Sequence, residues 1–170
     1  MEEVKTFRNI LVPTDFSEYS LAVCDYLFPL AQRNEVSIHM LFVVPDPVNE
    51  VYYSGFGSDP AYILQDALER AEKELQVLVA RRLHDFENVK RAVRHGDPSH
   101  EIVDYAREKK MDLIVMATHG RTGLSHVLMG SVAEKVVRHS PIPVLTVKPE
   151  ALQVSRLSQE DIEEQLHMPK

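Results

Sequence analysis

No apolar run in this chain approaches the roughly 20 residues needed to cross a bilayer, and the start Met1-Glu2-Glu3-Val4-Lys5 lacks the basic-then-apolar character of a signal peptide. Both absences point to a cytoplasmic protein with no membrane partner. Cysteine is almost missing. Cys24 stands alone, which rules out an internal disulfide framework or a cysteine-rich zinc ribbon and suits a reducing compartment. Because Cys24 falls within an apolar helical pattern, a buried and inert thiol is expected. Positive charge is also scarce: the formal net charge is −7, which opposes a general nucleic-acid role, since neutralising phosphates takes clustered cations. The one basic stretch, residues 90–95, is too short to reverse that balance. Neither a Walker A glycine-lysine run nor a regular dinucleotide glycine fingerprint is present. The eight histidines form no convincing ligand set, with His95 and His100 separated by a turn and His119 and His126 by a loop, so dedicated zinc binding is not expected.

What is present suffices for one domain: 170 residues with 44% hydrophobic content can bury a single good core. Residues 9–13 read as a buried strand, and Phe16-Ser17-Glu18-Tyr19-Ser20 then offers capping side chains before the periodic residues Leu21, Cys24, Leu27, Phe28 and Ala31 of a first helix. Residues 36–44, rich in β-branched and aromatic side chains, form a second strand that stops at Pro45. After a long connection to Pro60, residues 61–84 carry helical periodicity through Ile63, Ala67, Leu68, Ala71, Leu75 and Leu78, with Glu and Arg spaced for pairing on the wet face. Residues 89–95 alternate as a third, weaker strand. Gly96-Asp97-Pro98-Ser99 breaks the chain, and Pro98 opens a third helix bearing Ile102, Val103 and Ala106. Residues 111–117 are an apolar run suited to a strand buried on both faces. Beyond Gly130, the spacing of Val132, Val136 and Val137 predicts a fourth helix, and residues 144–147 a fifth strand closed by Pro149.

Strands alternating with helices through right-handed crossovers make an α/β fold, a parallel sheet covered by helices on both faces. Ligands in such sheets sit beyond the carboxyl ends of the strands, where the winding direction reverses. Pro13-Thr14-Asp15 after the first strand and Thr118-His119-Gly120 after the fourth would face each other across that crevice if the two strands are neighbours. The second of these belongs to a pattern, Ala117-Thr118-His119-Gly120, nine residues, then Gly130-Ser131, that places small residues and backbone donors where a strand hands phosphates to a helix. It reads as a nucleotide cradle.

Three ordered blocks, Asn9-Ile10-Leu11-Val12-Pro13-Thr14-Asp15-Phe16-Ser17, Thr118-His119-Gly120-Arg121-Thr122-Gly123-Leu124, and Gly130-Ser131-Val132-Ala133-Glu134-Lys135-Val136 followed by Pro143-Val144-Leu145-Thr146-Val147, closely resemble the universal stress protein family over roughly residues 6–148. The resemblance implies an open, doubly wound, Rossmann-like sheet of order 3-2-1-4-5, which supplies the adjacency of the first and fourth strands. It implies a nucleotide-binding domain over residues 1–149, a tail over 150–170, and a homodimer paired through the fifth strand, Val144 to Val147, whose apolar edge needs cover in any case. Members similar to this chain bind ATP through glycine, two residues, glycine, nine residues, glycine and then serine or threonine. Here the first glycine is Ala117, while Gly120 and Gly130-Ser131 keep register. Alanine adopts the extended backbone of a strand end without strain, so its methyl bears only on close approach by ribose or phosphate, and weakened binding is expected. Ala133 stands where some ATP-binding members place a hydroxyl on phosphate.

Within this frame Gly130, Ser131 and Val132 should present backbone N–H groups at a helix start, where unpaired donors and the dipole favour an anion. Ser131 either adds its hydroxyl to the phosphate or caps its own helix. Gly120 and Gly123 let the loop close over phosphates or form an ordinary turn, and Arg121 charges the outer phosphates or faces water. Asp15 accepts hydrogen bonds from a ribose, orients a Mg²⁺ held chiefly by phosphates, or caps the first helix. Val43 contacts adenine or packs in the core, and the connection with Tyr52, Tyr53, Gly55, Phe56 and Gly57 covers the base or lies as a surface loop. His119 neighbours the pocket.

In the tail, Ser158 and Asp161 open a short helical pattern resembling a capping box, with Ile162 and Leu166 four apart. It docks on the dimer partner or on another protein, or it frays. The expected function is a cytoplasmic stress-response protein whose dimer binds ATP or a related adenine nucleotide, ADP or AMP, with Mg²⁺ and acts as a regulatory module. A phosphate cradle without an evident general base or nucleophile favours binding over turnover, with slow ATP hydrolysis or self-phosphorylation secondary. The alternative, motivated by Ala117 and Ala133, is a dimeric interaction module independent of nucleotide. The His-x-Gly-His and Ser-Gly-Gly-x-Asp-Ser patterns of nucleotidyl-transfer enzymes are absent.

Overall fold

The computed structural model describes residues 6–31, 36–46, 60–119 and 129–148. Five strands, β1 (Asn9–Thr14), β2 (Ser37–Val44), β3 (Val89–His95), β4 (Leu113–Ala117) and β5 (Val144–Val147), form one parallel sheet in the order β3-β2-β1-β4-β5. The apolar runs take the centre. Every residue of β2 and β4 is buried, as a strand covered on both faces requires, whereas at the two edges β3 has only half-buried and exposed positions and β5 buries only Val147. Side chains alternate across the pleat. Ile10 and Val12 join Val23, Cys24, Leu27, Leu75 and Leu78 from α1 (Glu18–Ala22), the turns after it, α2 (Leu27–Ala31) and α3 (Pro60–Arg82). Leu11 and Ile114 point the other way, into Ile102, Val103, Ala106 and Val136 of α4 (Pro98–Glu108) and α5 (Ser131–His139).

The first helix departs from expectation. In place of one helix through Ala31, a 3-10 turn over Val23–Tyr26 separates α1 from α2. Pro29 has no N–H to offer the carbonyl four residues earlier and its ring crowds that carbonyl, so an uninterrupted α-helix fails there and the tighter turn absorbs the break. The change of pitch rotates Phe28 off the expected core stripe, leaving it 52% exposed. Cys24 is buried as expected, and desolvation pushes its thiol up to about 11 despite the nearby Arg82 guanidinium, so it stays protonated and unreactive.

The β1–β4 pairing on which the crevice depends is pinned at its lower end by Asp112. Its carboxylate accepts from the backbone N–H of Arg8 (2.9 Å) and Asn9 (2.8 Å), while its own N–H donates to the Asn9 carbonyl (2.8 Å). A buried pair, His39 on β2 and Tyr105 on α4, joins at 3.0 Å between Nδ1 and the phenol oxygen. Among the described residues no helix is long and apolar enough to cross a membrane.

Candidate functional site

Leaving β1, the chain runs to β2 on one side, while β4 lies on the other; the winding direction therefore reverses between β1 and β4, and a crevice opens above their carboxyl ends. A cavity of about 410 Å³ occupies it, within the range of roughly 300–1,000 Å³ typical of small-molecule sites. Pro13 and Thr14 line it from β1 and Asp15 from just beyond it, Val43 from β2, Ala117 from β4 and His119 from the loop after it, and Gly130, Ser131, Val132 and Ala133 from the start of α5. The sequence-predicted residues within the described parts of the chain thus converge on one space. Gly120, Arg121, Gly123 and residues 47–59 of the long connection lie outside the described residues, as does the tail.

At α5 the first turn is left open. Gly130 is the N-cap and supplies no capping side chain, and the first helical bond is Glu134 N–H to the Gly130 carbonyl (2.9 Å). Helix geometry therefore leaves the N–H groups of Ser131, Val132 and Ala133 without intrahelical acceptors, and all three residues border the cavity. Ser131 does not cap its helix; it is the first helical residue. One expectation needs correction: the Gly130 N–H is not offered to a ligand, because it donates to the Thr118 carbonyl at 2.7 Å. Ala133 takes its place in the open set. Gly130 has ordinary extended angles (φ −68°, ψ 153°), so glycine is needed here for proximity and not for backbone freedom. A Cβ would stand 3.3 Å from the Thr118 oxygen. The contact draws the open helix end against the end of β4.

The end of β1 is a knot of hydroxyls. Thr14 Oγ1 and Ser20 Oγ are 3.0 Å apart, Ser20 Oγ accepts from Asp15 N–H (3.3 Å), and Thr14 Oγ1 accepts from Phe16 N–H (3.1 Å). Asp15 Oδ1 accepts from both the backbone and the hydroxyl of Ser17 (3.0 and 2.5 Å). The cap of α1 is Ser17, which accepts from Ser20 N–H, so Asp15 is not the capping residue and its carboxylate stays at the rim. Phe16 sits at φ +62°, an unusual conformation for an aromatic residue, and its ring lies 4.6 Å from that of Phe42. Ring packing holds a strained turn in place.

Ala117, where the family pattern has glycine, is 6% exposed and belongs to the core on the α1 face together with Val115 and Val147. Ala133 belongs to the opposite core with Leu11 and Met116. Both residues are buried and also border the cavity. His119 Nδ1 and Thr118 Oγ1 are 2.9 Å apart, and the imidazole tilts against Tyr19 at 5.9 Å. No cluster of three or more His, Cys, Asp or Glu side chains that could hold a metal occurs among the described residues.

Several lining residues were not anticipated. Leu41, Phe42, Pro45, Ile102 and Met116 make an apolar wall, and Pro98 brings the start of α4 to the rim. Leu41 and Met116 are strand residues of the core on the α4 and α5 face, level with Pro13 near the carboxyl ends of β2 and β4. Pro98 arrives because Gly96, at φ +139°, turns the chain sharply out of β3.

The model of the universal stress protein family matches residues 6–148. The chain belongs to the universal stress protein family. Universal stress protein MJ0531 of Methanocaldococcus jannaschii is 32% identical over 144 residues, covering 84% of this chain and 82% of that protein. Among solved structures, MJ0577 from the same organism, a test case for structure-based assignment of biochemical function, superposes with a TM-score of 0.74 at 28% identity over 85% of this chain and 97% of its own. A universal stress protein in complex with cAMP is similar at TM-score 0.55 and 26% identity, covering 85% of this chain and 99% of that one. The sheet order expected from the family resemblance is the order this universal stress protein adopts.

Proposed function

We propose that this protein binds ATP or a related adenine nucleotide in the crevice between β1 and β4, with the phosphates on the open start of α5. The observation that carries the reading is the set of three N–H groups, Ser131 to Ala133, left without acceptors at the cavity where the sheet reverses. A helix start of this kind meets negative charge with aligned donors and a favourable dipole. The apolar wall of Leu41, Val43, Ile102 and Met116 suits a purine face, and the related structure with cAMP supports an adenine ligand. Asp15 at the rim serves the ribose or a Mg²⁺ ion held chiefly by phosphates.

The protein acts by binding, as a cytoplasmic regulatory module in the stress response. It works as a homodimer paired through β5, an edge strand on which Leu145 is 39% exposed. Calorimetry with Mg-ATP tests the ligand: a saturable heat is expected, and none at millimolar nucleotide rejects it. Native mass spectrometry of fresh protein tests the dimer and reports any retained nucleotide. A nucleotide-independent dimer would show an empty crevice and a melting temperature that added ATP leaves unchanged, whereas a ligand selective for the folded state must raise it.

A further inference from the structure

The short basic stretch that is too small for a nucleic-acid surface falls on β3, at the free edge of the sheet opposite β5. Of its cations, Arg94 is already engaged: it pairs with Glu108, which also holds Lys109 at 2.7 Å, and both cations lie over the Tyr105 ring at 5.4 and 5.9 Å. Lys90 and Arg91 are different. Among the described residues neither has a carboxylate within salt-bridge distance, and both are exposed. As consecutive residues of a strand they project to opposite faces and so flank the edge, whose outward N–H and C=O groups meet no further strand among the described residues. Just before the strand begins, Phe86 meets Phe28 edge-on at 6.2 Å, and Phe28 and Tyr26 remain 52% and 39% exposed. The edge is thus basic along its length and aromatic at its start, in a chain whose net charge is −7.

One segment of this chain has the complementary chemistry. Gln159-Glu160-Asp161-Ile162-Glu163-Glu164-Gln165-Leu166 interleaves four carboxylates with two branched apolar residues. Reach is sufficient. From β5 to β3 is four interstrand steps, about 19 Å, and the register sets Lys90 three residues, about 10 Å, below the level of Val147, a straight-line separation of about 22 Å; the residues between Lys148 and Glu160 span up to about 36 Å when extended. We propose that the acidic segment 160–166 docks on the β3 edge of its own chain, its carboxylates against Lys90 and Arg91 and its Ile162 and Leu166 on the Phe28–Phe86 aromatic pair. The contact would cover an edge strand otherwise open to pairing with another chain.

Zero-length carbodiimide coupling of the full chain, followed by peptide mass spectrometry, reads this contact. A mixture of isotopically heavy and light protein at low salt should give amide links from Lys90 to the carboxylates of residues 160–164. These links should join heavy to heavy and light to light. They should fall several-fold in 0.5 M salt, where the screening length shrinks to about 4 Å. Links to other lysines with none at Lys90 would overturn the site, and mixed heavy–light links would overturn docking within one chain. As an independent reading, the full-length variant Glu160→Gln/Asp161→Asn/Glu163→Gln/Glu164→Gln should exchange its β3 amide hydrogens several-fold faster than the parent. Equal rates in parent and variant would also sink the proposal.

Discussion

Two helices begin at the rim of the same cavity, and their first turns are finished in opposite ways. At α4 the N-cap is Asp97, whose Oδ1 accepts from the N–H of Ser99 (2.9 Å), from the N–H of His100 (3.1 Å) and from the Ser99 hydroxyl. The orphan donors are satisfied, and a carboxylate, with Lys135 4.0 Å from its other oxygen, already answers the helix dipole. At α5 the N-cap is Gly130, which has no side chain to give, and three donors remain. A ligand bearing negative charge therefore meets repulsion at one helix and unspent hydrogen bonds at the other. For the proposed nucleotide this asymmetry favours phosphates at α5 and the apolar portion toward Pro98 and Ile102.

The largest effect should come from destroying the open end. Gly130→Val places a branched side chain where even a Cβ stands 3.3 Å from the Thr118 oxygen, so the start of α5 must shift from β4. Overpacking of this kind costs about 1–3 kcal/mol; calorimetry should find nucleotide binding abolished and urea denaturation should find the lower stability. Next is Ser131→Glu, which brings to α5 the negative charge that α4 already has. Stability should hold or rise by about 0.3–1 kcal/mol through the dipole, while nucleotide affinity falls about tenfold or more, roughly 1.4 kcal/mol. Parallel losses in both measurements would mean that the residue matters for folding and not for the anion.

Opening the closed end is a smaller perturbation. Asp97→Ala removes a cap and should cost about 1 kcal/mol by denaturant titration, with nucleotide affinity changed little. Its acid dependence has a definite sign. Hydrogen bonding from the Ser99 hydroxyl, aided by the His100 N–H and Lys135, holds the Asp97 carboxyl below the usual carboxylate range. That stabilisation is present above the unfolded value near 4 and is lost as pH falls toward the folded one. The smallest signal lies at higher pH. Desolvation, with Lys90 and Lys109 nearby, lowers the pKa of buried His39, so the folded protein keeps it neutral where the unfolded chain protonates. Stability should decline as pH drops below about 6.5 and the decline should vanish in His39→Gln, leaving below about 4 the carboxylate limb to which Asp97 and the Arg94- and Lys109-bonded Glu108 contribute.

The contrast between the two helix starts was half legible in the sequence. Gly96-Asp97-Pro98-Ser99 announced a chain break and a helix opened by Pro98, and Gly130-Ser131, by its spacing from Gly120, announced a helix start facing phosphates; that Asp97 caps the first and nothing caps the second emerged only in the structure. The sharing of the Gly130 N–H with Thr118 was not legible, since it joins residues brought together only when α5 packs back on β4. Phe16 in a left-handed conformation was hidden for a similar reason: nothing local favours it, and the Phe42 ring that holds it belongs to another strand. The break between α1 and α2 could have been read from Pro29, had the proline been weighed above the apolar periodicity.

Local chemistry settled the strands of this protein, all but the first of its helices and their alternation, because each depends on side-chain pattern, caps and turn residues within a short stretch of chain. The family blocks added the sheet order. Only packing decided which donors are spent, which methyls vanish into the core and which walls meet at the crevice. Those are distances between residues far apart in the chain, and they exist only once β1 and β4 lie side by side.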